Sequence, residues 1–340
     1  MSDRPYHKSL RLQNFTAFAD ATLNFVPGVN VFVGENGTGK SHAMKSLYAA
    51  QQAGSRTPFG LDDVLGRLFQ SDDVRAIVRK GGVRAAARAS GDFGAGGWYY
   101  EVHDDSSQLV SDRNLPHGHL RPVFIPAIDM MGHTKGFLAA NNELVLDFDL
   151  TCVDIVTLLS LKRRSGTQQG DTIEILSGLL GGKLDYDDTT GRFYLSTPDD
   201  RIAMPMVAEG IRKIATLLRL LQNGWLQPGT TLFWDEPESN LNPKLMDEVV
   251  SAVLAIARSG VQVFLATHSY VILKELDLQT LQTGAVRYFA FQLSDAGTVV
   301  NPTDDFSLLK PNPILDQYDS LYDRDLTRAT GRNHQGEPVR

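Results

Sequence analysis

The stretch VFVGENGTGKS, Val31 to Ser41, constrains this chain more than any other. It reads as a buried strand, a glycine-rich turn and the start of a helix. Gly34, four intervening residues and then Gly39-Lys40-Ser41 give the spacing of a phosphate-binding loop. The glycines let successive backbone N–H groups turn inward around phosphates. Lys40 is placed to reach the β- and γ-oxygens, and Ser41 to hold Mg²⁺. The following helix adds its unsatisfied N-terminal donors and its dipole. A glycine-rich surface turn is the competing reading, so the rest of the chain has to supply a matching hydrolytic site.

With 340 residues the chain can build a large core, in the form of a main domain with an inserted subdomain. No apolar run is long enough for a spanning helix, and the polar opening MSDRPYHKSL carries no expectation of a secretory leader. The single cysteine, Cys152, excludes an internal disulfide framework and fits a reducing cytoplasm. It sits in an apolar stretch and reads as a buried filler. The formal charge of −7 argues against wholesale wrapping by nucleic acid. Arg67, Arg75, Arg79, Lys80, Arg84 and Arg88 still form a positive-leaning segment, read as a solvated helical surface or as a docking face for nucleic acid or an acidic partner.

Residues 8–33 read as a small β section leading into the glycine-rich turn, and Ser41 to Gln52 as a helix ending near Gly54. Leu61 to Phe69 and Val74 to Val78 have helical spacing. Gly91 to Gly97 reads as a loop, Trp98 to His103 as a strand, and the following QLV as its hairpin return. His103, His117 and His119 lack the further ligands of a zinc cluster and read as surface groups. Val123 to Ile125 is a core strand. Residues 137–200 read as an insertion, with helices over Phe148 to Leu161 and Ile173 to Leu180 and a hairpin turning at Asp188 to Gly191. Residues 205–223 carry a strong helical stripe. Near-continuous apolar strands at Thr230 to Glu236, Val261 to Ser269 and Ala285 to Phe291 alternate with helices, which indicates parallel strands with covering helices. Residues 293–340 turn polar, and Asp323 to Arg340 shows no stable apolar face. The expected organisation is therefore 1–136, 137–200, 201–292 and 293–340.

The matching hydrolytic site is LFWDEPESNLNP. Asp235 ends a buried strand, where it can organise Mg²⁺. Glu236 can project toward the γ-phosphate and polarise attacking water. His268, at the end of VQVFLAT, can sense the γ-phosphate or orient the water.

Together these residues resemble the ABC-type ATPase head shared by SMC and RecF proteins and their repair relatives. More closely, the chain looks like compact bacterial AAA-labelled ATPases, OLD-like but without a Toprim nuclease domain, found in defence systems. The resemblance rests on NFTAFADATLNFVPGVNVFVGENGTGKS, FWDEPESNLNP and ATHS, over about residues 8–54 and 200–270. It implies an α/β fold: a P-loop NTPase with an ABC-type head, an N-terminal antiparallel β section and an α+β insertion. It implies ATP and Mg²⁺, with Asn36, Gly37, Thr38, Gly39, Lys40, Ser41 and His42 forming Walker A. Asp235 and Glu236 then form Walker B, Ser239, Asn240 and Leu241 the D-loop, and His268 the switch histidine. The signature segment is AEGIRKI, with Gly210 docking on a nucleotide held by another subunit. Ala208 stands near the usual signature serine and removes a hydroxyl donor. No glutamine follows RPVFIPA, so Asp129 is the substitute candidate for the Q-loop, while Gln51 and Gln52 read as helix-covering residues.

The expected activity is Mg²⁺-dependent ATP hydrolysis in a head-to-tail homodimer that controls a trans-acting effector, nuclease or toxin, in anti-phage defence or DNA processing. A nucleotide-gated scaffold with little turnover and a DNA-end-binding repair ATPase are the alternatives. The repair reading predicts DNA-stimulated ATP turnover that is lost when Arg75, Arg79 and Arg84 are neutralised; a phosphate-release assay with and without duplex DNA ends checks it.

Overall fold

The computed structural model describes residues 4–55, 60–81, 86–104, 109–111, 115–116, 121–144, 146–161, 170–280 and 285–330. The chain opens with strand β1 (His7–Phe15), paired antiparallel to β2 (Phe18–Asn24). The Pro27-Gly28 turn feeds β3 (Val29–Gly34), buried at every position, and β3 runs through the glycine-rich turn into helix α1 (Lys40–Gly54). Helix α2 (Leu61–Leu68) follows, then a hairpin of β4 (Ala86–Phe93) and β5 (Gly96–His103), with β6 (Leu109–Ser111) returning along β5. The next strand, β7 (Val123–Ile125), is short and fully buried.

Helices α3 (Phe137–Leu144), α4 (Leu150–Ser160) and α5 (Gly170–Leu180) precede three short strands, β8 (Lys183–Asp187), β9 (Arg192–Ser196) and β10 (Arg201–Ala203), which form a sheet of their own. Then come α6 (Glu209–Gln222), β11 (Thr231–Asp235), α7 (Met246–Arg258), β12 (Gln262–Thr267), α8 (Tyr270–Thr280), β13 (Val286–Ser294), β14 (Gly297–Thr303) and α9 (Pro313–Thr330).

The central sheet has the order β14-β13-β3-β12-β11-β7; β13, β3, β12, β11 and β7 are mutually parallel and β14 closes one edge antiparallel. Parallel pairing brings the C-terminal ends of these strands to one edge, where open α/β sheets place ligands. Both faces are covered, which is why the strands read as continuous apolar runs. Successive side chains alternate between faces. One face carries a row of phenylalanines. Phe124, Phe233 and Phe264 are in register on β7, β11 and β12, with ring centroids 5.8 and 5.0 Å apart and planes inclined by 16° in each pair. Phe32 and Phe289 continue the row edge-to-face across β3 and β13 at 5.5 Å. This face packs on α1, α2 and the antiparallel sheet β2-β1-β4-β5-β6. The opposite face, with Val31, Val33, Leu232, Trp234, Val263 and Leu265, packs on α4 to α8.

Three segments differ from the sequence expectation. The glycine-rich 91–97 segment is the heart of the β4–β5 hairpin, in which Gly91 pairs with Trp98 and Asp92 with Gly97. Glycine composition masked strands whose partners bury them. The polar stretch after 293 contains β14, whose hydrogen bonds come from β13 and need no apolar stripe. The stretch from Asp323, read as showing no stable apolar face, is helical to Thr330, and no residue of α9 from Pro313 to Ala329 is buried. Residues 331–340, Arg84, Lys162 to Arg164, His117 and His119 lie outside the described residues. His103 lies against Glu101, 3.8 Å away. Burial pushes the Cys152 thiol up to about 12, which leaves it an inert filler. No described helix is long and apolar enough to cross a membrane.

His7 joins the two sheets. Its N–H donates to Gln262 Oε1 at 2.8 Å, and Gln262 Nε2 donates back to the His7 carbonyl at 2.8 Å. Its ring lies 3.1 Å from Gln51 Oε1 of α1 and packs against Phe93. Burial lowers its pKa to about 4, against the raising effect of Gln51. The unfolded chain takes up this proton near 6.5, before the folded chain does. The stability that neutral His7 contributes is therefore complete above pH 6.5 and is lost as pH falls toward 4. Between pH 7 and pH 5 this single group lowers unfolding free energy by about 2 kcal/mol. Urea unfolding at both pH values should show a pH-dependent loss smaller by that amount in His7→Gln than in the unsubstituted chain.

Candidate active site

Four strand ends assemble the site. The loop after β3 carries the glycine-rich turn, the end of β11 carries Asp235 and Glu236, the end of β12 carries His268, and the loop after β7 carries Asp129. Because β12 lies between β3 and β11, His268 emerges between the two motifs.

The glycine-rich loop has the geometry of a phosphate cradle. Gly37 and Gly39 take φ of 79° and 91°, and a Cβ on Gly37 would meet no atom within 4 Å. Glu35, Asn36 and Gly37 form an exposed rim, while Thr38 is buried. Thr38 Oγ1 donates to the Glu35 carbonyl at 2.8 Å, and Thr298 Oγ1 of β14 donates to the Thr38 carbonyl at 2.9 Å, so the last strand of the sheet braces the loop. Lys40 is buried and its Nζ donates to the Gly34 and Glu35 carbonyls, both at 2.8 Å. Burial lowers its pKa, and Asp235, Glu236 and Glu238 oppose that shift. The ammonium thus sits at the centre of the loop, on weak neutral acceptors that a phosphate can replace.

Ser41 Oγ donates to Asp235 Oδ2 at 2.7 Å. A hydroxyl and a carboxylate in contact beside a phosphate cradle form the oxygen donor set that Mg²⁺ shares with substrate phosphates. Burial raises the Asp235 pKa, while the Ser41 hydrogen bond opposes the shift. The residues present therefore fit a nucleotide with Mg²⁺. His42 is arranged differently from its neighbours. Its ring packs edge-on against Phe69 at 5.3 Å, and burial, then Lys45, lowers its pKa to about 4. Its half-buried ring lies against Phe69.

Glu236 is held from several sides. Its backbone is left-handed, with φ 47°, a conformation that costs a residue with a Cβ. Its N–H donates to the Ala266 carbonyl at 2.9 Å, and Ser239 Oγ donates to its Oε2 at 3.0 Å. His268 Nε2 lies 3.6 Å from its Oε1. Burial and then Lys40 lower the His268 pKa, so its imidazole is neutral at pH 7.

Two groups that the sequence reading passed over complete this corner. Glu238 Oε1 accepts from Thr267 Oγ1 at 2.8 Å and from the His268 N–H at 2.5 Å, which locks the His268 backbone to the loop after β11. The signal was the spacing of a second carboxylate two residues after Glu236. Lys213 of α6 donates to the Glu236 carbonyl at 2.9 Å. No local motif announces that contact.

Asp129 does not behave as a spare carboxylate. It accepts from Arg212 Nε at 2.6 Å and from the N–H groups of Met131 and Gly132, with its side chain 3% exposed. Its oxygens serve an internal ion pair with α6. Gln51 and Gln52 also serve the interior: Gln51 accepts from His7 and Gln52 donates to Asp154 at 2.9 Å. Helix α6, which carries the expected signature segment, begins at Glu209, later than its apolar stripe suggested, and Ala208 provides no side-chain cap. Ala208 and Met206 are exposed, while Gly210 is buried against the D-loop. The structure thus brings the glycine-rich loop, Asp235, Glu236 and His268 together in one chain and places Gly210 against Asn240 and Leu241.

Comparison with known proteins bears on the fold. Residues 167–274 match the family described as "AAA domain, putative AbiEii toxin, Type IV TA system", and residues 9–74 match one described as "AAA domain". The DNA replication and repair protein RecF of Streptococcus gordonii is 44% identical over 41 residues, 12% of this chain and 11% of that protein. The match thus spans about a tenth of that relative's length. Among solved structures, an Smc head bound to the C-terminal winged-helix domain of ScpA aligns with TM-score 0.58 at 13% identity, over 88% of this chain and 97% of the other. The Smc head of Pyrococcus furiosus, with an extended coiled coil and bound to the C-terminal domain of ScpA, aligns with TM-score 0.56 at 12% identity, over 95% and 100%. The chain has the mixed α/β fold of an SMC/RecF-like ABC-ATPase head, with its N-terminal β-sheet and helical insertions.

A Cβ added at Gly210 would lie 2.8 Å from the Asn240 carbonyl oxygen and 3.1 Å from Leu241 Cα. Replacing a helical glycine by alanine ordinarily stabilises by up to about 1 kcal/mol. Here Gly210→Ala should destabilise by about 1–3 kcal/mol, the range for overpacking a closed contact; urea unfolding reads the sign directly.

Proposed function

We propose that this chain is a Mg²⁺-dependent, ATP-hydrolysing switch. Two copies close head to tail around two nucleotides and pass their state to a separate effector protein. The observation that carries this reading is the contact of Ser41 with Asp235, with Glu236 and His268 at adjoining strand ends.

ATP lies in the Gly34–Ser41 loop, its phosphates facing inward N–H groups and the α1 N-terminus. Lys40 exchanges its loop carbonyls for β- and γ-oxygens and offsets charge that builds on them. Ser41 and Asp235 would hold the metal ion, which would supply positive charge to offset that of the phosphates. Glu236 accepts a proton from water as the water oxygen attacks the γ-phosphorus. The bond to the β–γ bridging oxygen breaks in line, and ADP and phosphate are the products. Neutral His268 accepts or donates a hydrogen bond beside Glu236 and orients the water or the γ-phosphate.

The dimer reading is supported by the α6 start, which reaches the surface at Ala208 beside Met206, 81% exposed. An exposed helix N-terminus is suited to a phosphate supplied from outside the chain. The toxin–antitoxin description of one matching family and the ScpA-bound Smc heads both motivate a trans-acting partner. Anti-phage defence or DNA processing in the cytoplasm is the setting we assign.

A scaffold with little turnover is the second reading, and Ala208 favours it because the signature hydroxyl is missing. The repair reading draws on the RecF similarity. Against it, Arg67, Arg75 and Arg88 of the basic segment contact Asp63, Asp73 and Glu101 of the same chain. Those contacts leave less positive charge for a phosphate backbone.

Steady-state phosphate release and light scattering on the full chain decide between these readings. Glu236→Gln should lower Mg-ATP turnover by about 10²–10⁴-fold, the usual contribution of a general base, while ATP-dependent dimers persist. Undiminished turnover in Glu236→Gln rejects the assigned mechanism. ATP binding without turnover in the unsubstituted chain selects the scaffold.

A further inference from the structure

We infer that Lys213 is a positioning residue for hydrolysis: it holds Glu236 in its working conformation and ties that conformation to the helix whose start faces the second nucleotide. The inference deepens the proposed function and rests on Glu236 as the group that activates water.

Three observations carry it. First, the Lys213 side chain is almost fully enclosed, with the residue 3% exposed, and its ammonium ends on the Glu236 carbonyl at 2.9 Å. Buried ammonium groups are costly unless a specific contact needs them. This one is surrounded by Glu209, Glu236, Glu238 and Asp129, whose charges favour its charged form against the lowering effect of burial. A charged donor on a neutral carbonyl is a stronger clamp than an amide.

Second, the clamped peptide is the one that requires it. Glu236 has φ 47°, and its N–H is already fixed to Ala266 of β12. Fixing the carbonyl as well leaves the side chain one direction of departure, toward Ser239 and His268.

Third, Lys213 lies three residues after Gly210, on the same face of α6. Gly210 abuts the Asn240 carbonyl, whose residue is also left-handed at φ 58°. The first two turns of α6 therefore grip the 236–241 loop at both ends. A shift of α6 when its start meets a second copy's nucleotide is transmitted to Glu236 through a rigid contact, with no intervening loop. Each site then hydrolyses in step with the engagement of the other.

The test uses the full chain with Lys213→Met and Lys213→Gln, each in the Glu236 and Glu236→Gln backgrounds. The readouts are kcat, KM, fluorescent-ATP affinity and melting. Lys213→Met should lower kcat by about 10–100-fold, as expected for a misplacement on the order of 1 Å, with KM and nucleotide affinity unchanged. In the Glu236→Gln background it should add no further loss, because it acts through the missing carboxylate. Lys213→Gln, whose amide can still donate to the carbonyl, should recover part of kcat. If Lys213→Met does not melt cooperatively, the two-background comparison is read on Lys213→Gln. An unchanged kcat, or an equal loss in both backgrounds, overturns the inference and leaves the ATPase reading standing. Absence of turnover in the unsubstituted chain overturns both.

Discussion

The hydrogen bond from Ser41 to Asp235 joins residues 194 positions apart in the chain, and the site exists only where that contact can form. Its geometry is set by the sheet. Adjacent strands lie about 4.8 Å apart, and β3 and β11 are separated by β12 alone. The turn after β3 and the end of β11 must therefore lean toward each other over the end of β12. They do so because all three strands are parallel and end at the same edge. Thr267 and His268 lie beneath that bridge, and Glu238 binds both to the loop after β11.

The phenylalanine row explains how such a bridge stays in register. A one-residue slip of any parallel strand would exchange its two faces. It would move a phenylalanine out of the α1 side and a valine, leucine or tryptophan into it. With Phe124, Phe233 and Phe264 stacked in line, a slip of β11 forfeits the ring contacts of Phe233 on both neighbours at once. The strand ends, and with them the catalytic candidates, inherit their alignment from this core.

Much of this was legible in the sequence because each strand end announces itself. VFVGENGTGKS, LFWDE and VFLATHS each couple an apolar run to polar residues at its C-terminal end, and parallel pairing brings such ends together. What was not legible depended on encounters between distant segments. Lys213 reads as one more polar residue on an amphipathic helix until α6 is laid against Glu236. Asp129 reads as a spare carboxylate until Arg212 reaches it. Thr298 reads as part of a polar extension until β14 is paired and its hydroxyl meets Thr38. The β4–β5 hairpin was hidden for the converse reason: its glycines suggested a loop, and pairing with β1 made it sheet.

The position of β3 also shapes how this protein comes into being. Its two neighbours are β12, where Val29 meets Val263, and β13, where Val29 meets Val286. During synthesis from the N-terminus, β3 leaves the ribosome long before either neighbour exists. Both of its hydrogen-bonding edges wait through the translation of more than half the chain. Contacts of such separation are slow to form, and unpaired strand edges invite association with other chains. The early β1–β2 hairpin and α1 can cover the phenylalanine side in the interval, while the valine side waits for the helices from α4 to α8. The same topology that builds the bridge makes its assembly one of the last events in the life of the nascent chain.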